Sequence, residues 1–195
     1  MNILKVGSVL SVIFAIVFFL HTILNLIGFA VTNQAITLES IPESLKSSMT
    51  FILQNFTSVT RILIVLEAIL MAFVLFAFER IAKVKRLTFL RVSASIFAIA
   101  VLLPALNILL PLLSLHIALN DKWIFLATGI IGIIFGISLS KIKSSWDMMS
   151  RSLGILYILQ SIVIFSTFWI PIRLLEFSIA IAIVQAVLFW RIQKI

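Results

Sequence analysis

Residues 62–78 read ILIVLEAILMAFVLFAF, and Glu67 is the one ionisable side chain among them. An α-helix of this length extends about 25 Å, close to the thickness of a membrane's hydrocarbon core. Because lipid offers no partners to backbone N–H and C=O groups, a chain that crosses it must satisfy them within a helix. We therefore predict a transmembrane helix over residues 62–78.

Similar apolar runs account for most of the chain. The predicted membrane helices cover residues 6–31, 62–78, 92–115, 123–140, 152–170 and 174–190. With 63% hydrophobic residues and a mean hydropathy of +1.27, the chain has too little polar surface for a soluble protein. The runs lack period-two alternation, which argues against a β-barrel. We predict an all-α, polytopic integral membrane protein in which residues 1–195 form a single transmembrane domain, a bundle of six helices.

The Lys and Arg residues are divided unequally between the two sides of the predicted membrane. One side has eleven of them: Lys5, Arg80, Lys83, Lys85, Arg86, Arg91, Lys141, Lys143, Arg151, Arg191 and Lys194. The other side has four: Lys46, Arg61, Lys122 and Arg173. Because cytoplasmic loops carry the excess of Lys and Arg, we predict that both termini are cytoplasmic.

The tryptophans give the same orientation. Trp123 and Trp169 stand at predicted outer ends of helices, and Trp146 and Trp190 stand at predicted inner ends. Indole rings prefer the interface between lipid and water. The charges and the tryptophans therefore predict one topology.

The formal net charge is +8, and the chain contains no cysteine. The positive charge is concentrated at helix ends on one side, where it orients the helices and meets anionic lipid. We therefore expect the lipid bilayer as a partner, with anionic lipid at its cytoplasmic face, and no nucleic acid. Without cysteine there is no disulfide and no thiolate metal site.

The longest segment between predicted helices, residues 32–60, is expected on the outside. Ser40 to Glu43 form an S-x-x-E capping box, which is typical of a helix start. Apolar residues then recur every three or four positions at Ile41, Leu45, Met49, Ile52 and Phe56. This pattern predicts a short amphipathic helix over residues 41–56 that lies on the outer surface of the membrane or over the bundle. It is either a connector or a lid.

Polar side chains within membrane spans are costly and usually face protein or water. His21, Glu67 and Asn107 lie about 0.6, 0.7 and 0.65 of the way along their helices from the cytoplasmic side, which places them at one level. His21 and Asn25 are one turn apart on the same face of the first helix. We predict a polar binding layer in the outer half of the bundle. Its candidate residues are Glu67, His21, Asn25, Asn107, Gln160 and Arg173.

Glu67 and His21 are expected to be close neighbours within this layer. They match in depth, lie on consecutive helices, and offer a carboxylate acceptor and an imidazole donor. An ionisable carboxyl inside a span is a functional-site candidate. The alternative for His21, Asn25 and Asn107 is that each forms a separate hydrogen-bonded link between helices.

Small residues follow one stripe of the fourth predicted helix. They are Gly129, Gly132, Gly136 and Ser140. Small residues allow helix backbones to approach closely, so this face is expected to pack against a helix of the same chain or of a partner.

Motifs for catalysis are missing from the sequence. His21 and His116 lie on different helices without metal-ligand spacing, and there is no G-x-S-x-G elbow, phosphate-binding loop or cysteine nucleophile. We predict no catalytic residue, metal or cofactor, and we expect that the protein is not an enzyme.

The function that these features favour is a small transport or solute-binding membrane subunit whose polar site lies in the outer half of the bundle. The first helix also has a stripe of small residues, Gly7, Ser11 and Ala15. Together with the six helices, the cytoplasmic termini and the long first outer loop, this stripe is similar in architecture to the substrate-binding component of an energy-coupling-factor transporter. No substrate motif accompanies this resemblance. The alternative is a non-catalytic accessory, assembly or immunity protein that acts through helix contacts with a membrane partner. We expect an integral, multi-pass protein of the plasma membrane of a prokaryote.

Overall fold

The computed structural model describes residues 3–32, 43–112, 121–142, 147–166 and 171–193. Within these ranges the chain is all helical. Its helices are α1 (Ile3–Thr32), α2 (Glu43–Gln54), α3 (Phe56–Val84), α4 (Thr88–Leu112), α5 (Asp121–Ser140), α6 (Asp147–Ser166) and α7 (Pro171–Gln193).

The largest difference from the predicted bounds concerns α3. It covers Phe56–Val84 and therefore extends six residues beyond each end of the predicted run 62–78. Hydropathy detects the apolar part of a helix, whereas helical hydrogen bonds continue into the polar residues at both ends. Phe56 accordingly belongs to α3, not to the amphipathic segment predicted over residues 41–56. The capping-box residue Ser40 lies outside the described residues.

Among the described residues, four helices are long and apolar enough to cross a membrane. These spans are Leu4–Gly28, Phe56–Val84, Thr88–Pro111 and Trp123–Ser140. Helices α6 and α7 contain shorter apolar segments, Met148–Val163 and Ser178–Ile192. Large apolar side chains are exposed on the outside of the bundle, for example Phe73 (55%) and Ile99 (63%). An apolar surface of this kind suits lipid, so the structure indicates a multi-pass membrane protein.

Six of the helices form a closed ring. In the order α1, α3, α4, α5, α6, α7 each helix packs against the next, and α7 packs against α1. Adjacent helices run antiparallel, because Gly7 near the start of α1 lies against Ala77 and Phe189, which are near the ends of α3 and α7. The start of α1 and the end of α7 therefore meet at one end of the bundle.

This end of the bundle, which also carries the turn between α3 and α4, is called here the basic end. Its exposed cations include Lys5, Arg80, Lys83, Lys85, Arg86, Arg91, Lys141, Arg151 and Arg191. The end at which α3 begins is called the far end.

A tight turn joins α3 to α4 with the hydrogen bonds of a Schellman motif. The Arg86 N–H donates to Lys83 O at 3.3 Å, and the Leu87 N–H donates to Ala82 O at 2.8 Å. Arg86 has a φ of 56°, the left-handed conformation that this position requires and that glycine most often provides. The hydrogen bonds of the turn therefore fix the backbone of Arg86, although a residue with a Cβ is unfavourable in this conformation.

Aromatic rings fill the centre of the ring of helices near the basic end. They are Phe78, Phe97, Phe135, Tyr157 and Phe189, one from each of the helices α3 to α7. Their centroids lie 4.7 to 5.8 Å apart, and none is more than 4% exposed. These five rings, called here the aromatic cluster, fill the interior of the bundle near the basic end.

Candidate functional site

His21 and Glu67 lie in contact between α1 and α3, as their depths predicted. His21 Nδ1 is 2.8 Å from Glu67 Oε1, a distance typical of a charge-assisted hydrogen bond. The antiparallel packing of α1 on α3 produces this contact, because the same alignment places Gly28 against Phe56 near the far end. The pair therefore belongs to the half of the bundle away from the aromatic cluster.

Both side chains are largely removed from the surface. The exposed fractions are 12% for His21 and 13% for Glu67. A carboxylate accepts, so a contact between Glu67 and Nδ1 assigns the hydrogen to Nδ1 of the imidazole. His21 Nε2 is buried and has no hydrogen-bond partner among the described residues. A buried nitrogen without a partner costs about 1–3 kcal/mol, so it is a position at which a solute or water would be favourable.

Thr60 provides a second polar atom of this kind. Its Oγ1 is buried and without a hydrogen-bond partner within the described part of the chain. Thr60 and Glu67 are seven residues apart, so they lie on one face of α3, about 10 Å apart along its axis. Among the described residues, the hydrogen-bonded pair His21–Glu67 is thus accompanied by two buried polar atoms without a partner, His21 Nε2 and Thr60 Oγ1.

The other candidates of the polar layer lie in different places. Gln160 Nε2 donates to Ser178 Oγ at 2.8 Å, which links α6 to α7. Asn107 is partly buried on α4. The side chain of Arg173 is not among those the structure describes. The described candidates therefore take part in at least two separate polar contacts, one between α1 and α3 and one between α6 and α7.

Asn25 departs from the prediction, because its side chain is exposed. Each helical residue turns the chain by about 100°, so Asn25 lies about 40° to one side of His21, whereas Gly28 lies about 20° to the other. Gly28 faces α3, and Asn25 is turned away from that contact. Asn25 therefore does not lie beside the His21–Glu67 pair.

A proline inside α4 changes the hydrogen bonding of its backbone. Pro104 lacks an N–H, so the carbonyl of Ala100 loses its helical donor. Thr128 Oγ1 on α5 approaches this carbonyl at 3.4 Å. The α4–α5 contact thus brings a hydroxyl donor to a carbonyl that Pro104 leaves without its helical partner.

A buried polar contact near the aromatic cluster was missed from the sequence. Gln185 Nε2 donates to Tyr157 Oη, and Tyr157 Oη approaches Met71 Sδ at 3.9 Å. Gln185 is fully buried, and its Oε1 has no partner among the described residues. The sequence did contain a signal for this contact, because a glutamine inside an apolar run needs a hydrogen-bond partner.

The small-residue stripe of α5 lies against α6 of the same chain. A Cβ added to Gly136 would lie 2.6 Å from Gly154 O, and one added to Gly132 would meet Ser161 Oγ. Ser140 is also close to Gly154, and Gly129 is buried. Gly154 is the residue on α6 that makes this approach possible, and the sequence reasoning did not select it.

The described residues contain no group of three or more His, Cys, Asp or Glu side chains that could hold a metal ion. No family model, no curated protein and no solved structure matches the chain.

Proposed function

We propose that the protein is a small membrane transport or solute-binding subunit, and that His21 and Glu67 form part of its solute site. The observation that carries this proposal is the 2.8 Å contact between His21 and Glu67 together with the buried His21 Nε2, which has no hydrogen-bond partner in the part of the chain that the structure describes. Ionisable groups at membrane depth are costly, and they commonly mark solute or proton pathways.

The aromatic cluster supports a site with access from one side. Phe78 lies eleven residues beyond Glu67 on α3, or about 16 Å toward the basic end. The rings fill the interior there, whereas the polar pair lies in the other half. This arrangement favours a binding subunit or a gated transporter over an open pore.

In this proposal all six ring helices cross the membrane, with both termini in the cytoplasm. The excess of Lys and Arg at the basic end assigns that end to the cytoplasm. The polar pair then lies in the outer half, and α2 lies on the outer side near it. The proposed location is the plasma membrane of a prokaryote.

The accessory-protein alternative has less support. Its main argument was a small-residue stripe open to a partner, and α6 occupies that stripe at Gly132 and Gly136. A substitution of either glycine by leucine would disturb the fold itself, whatever the function.

The proposal is tested by a thermal-shift screen of small polar solutes against the purified wild type, Glu67→Gln and Glu79→Gln. We expect at least one solute to stabilise the wild type and Glu79→Gln, and to bind Glu67→Gln about tenfold more weakly or worse. Hydrogen bonds to charged groups contribute about 1.5–3 kcal/mol, which corresponds to this loss.

Glu79→Gln is the matched control, because it makes the same change in a carboxylate that pairs with Arg91 at the basic end. If every stabilising solute acts equally on the wild type and on a folded Glu67→Gln variant, the proposed site is wrong. The accessory-protein alternative predicts that result.

A further inference from the structure

A second site lies at the basic end, where the turn between α3 and α4 meets the end of α5. A shallow pocket of about 330 Å³ opens there. Its polar lining includes Arg86, Thr88 and Lys141, and its apolar lining includes Phe89 and Ile142. The pocket thus combines two cations with an apolar wall.

The cations of this pocket are available to a ligand. Arg86 and Lys141 are exposed, and neither forms an ion pair within the described part of the chain. Arg91, by contrast, donates to Glu79 at 2.8 Å. Two unpaired cations beside a small pocket favour a single compact anion.

The pocket is held in shape by the backbone on both sides. The Schellman motif positions Arg86, and a hydrogen bond of 2.8 Å between Ser93 and Ser138 joins α4 to α5 directly behind it. Both serines are buried. A ligand would therefore meet a preformed backbone and would have to order only the exposed side chains of Arg86 and Lys141.

The apolar wall continues along the outside of α4. Phe89, Val92, Ile96 and Ile99 follow one helical stripe and are 57%, 50%, 47% and 63% exposed. This stripe starts at the pocket and runs toward the far end, the direction in which an acyl chain would extend. We propose that the pocket binds the phosphate of an anionic phospholipid and that the lipid's acyl chain lies along this stripe.

The test is native mass spectrometry of the full chain in a mild detergent with added phosphatidylglycerol or phosphatidylcholine of the same acyl chains. We expect the wild type to retain phosphatidylglycerol preferentially. A basic residue that contacts the headgroup of a bound anionic lipid is expected to contribute about a fivefold difference in affinity. The double variant Arg86→Gln, Lys141→Gln should therefore bind phosphatidylglycerol about 25-fold more weakly.

A matched control exists on α3. Arg80 and Lys83 line another shallow pocket, of about 520 Å³, which also contains exposed phenylalanines and the paired Glu79. The double variant Arg80→Gln, Lys83→Gln removes the same two kinds of charge, and we expect its affinity to stay within about threefold of the wild type. Equal losses in both double variants would mean diffuse attraction by surface charge and would overturn the proposal.

A charge-conserving variant gives a further test. Arg86→Lys combined with Lys141→Arg keeps both charges, so its affinity for phosphatidylglycerol should stay within about threefold of the wild type. A loss as large as that of the glutamine variant would contradict the proposal.

Titration with inorganic phosphate separates the two sources of a phosphate group. If inorganic phosphate displaces phosphatidylglycerol at equal concentration, the acyl stripe contributes nothing and the lipid assignment is wrong.

Discussion

At the scale of single residues, the backbone conformation of Arg86 affects the stability of the fold. It occupies the left-handed position of the α3 Schellman motif with a φ of 56°, where a Cβ is unfavourable. We predict that Arg86→Gly raises the free energy of unfolding by about 1 kcal/mol, because glycine adopts this conformation without steric strain. Arg86→Gln removes the same charge but keeps the Cβ, so it should leave stability unchanged. Thermal unfolding of both variants in one detergent measures the difference, and a lower midpoint for Arg86→Gly would show that this strain is absent.

At the scale of the elements, the α5–α6 contact depends on two glycines that face each other. A Cβ on Gly136 would lie 2.6 Å from the backbone oxygen of Gly154, which cannot move without shifting α6. We predict that Gly136→Ala destabilises the bundle by roughly 1–3 kcal/mol through overpacking. Gly28→Ala is the control, because its Cβ would also lie 2.6 Å from a neighbour, the tip of the Phe56 ring, which can rotate away. In detergent, Gly136→Ala should unfold at a clearly lower temperature than Gly28→Ala. Equal stability of the two variants would argue against a close α5–α6 approach.

The helices of the described chain form a closed ring whose exposed cations are concentrated at one end, and this distribution predicts an orientation with that end in the cytoplasm. The chain has no cysteine, so single cysteines can be introduced without background. Ser47 on α2 and Lys85 in the α3–α4 turn are both exposed and stand at opposite ends of α3. We predict that an impermeant thiol reagent added to intact cells labels Ser47→Cys and does not label Lys85→Cys. Labelling of Lys85→Cys alone would reverse the orientation and move the His21–Glu67 pair to the cytoplasmic half.

The apolar runs by themselves indicated a helical membrane protein and the approximate place of each helix. Hydropathy and rise per residue are local quantities, so they also gave the common depth of His21 and Glu67, which the structure finds 2.8 Å apart. The predicted bounds of the helices differ from the observed ones because polar residues, such as Thr57, extend α3 beyond its apolar run. Phe56 therefore belongs to α3, where it packs on Gly28.

Only the tertiary structure decided which side of each helix meets which neighbour. A small rotation about a helix axis leaves depth unchanged but alters every contact, so Asn25 turned away from α3 while His21 did not. The pairing of Tyr157 with Gln185, and of Gly136 with Gly154, likewise joins residues on separate helices. These contacts depend on the simultaneous packing of six helices into one ring. Local sequence patterns fix the depth of a side chain, whereas the whole ring fixes its direction.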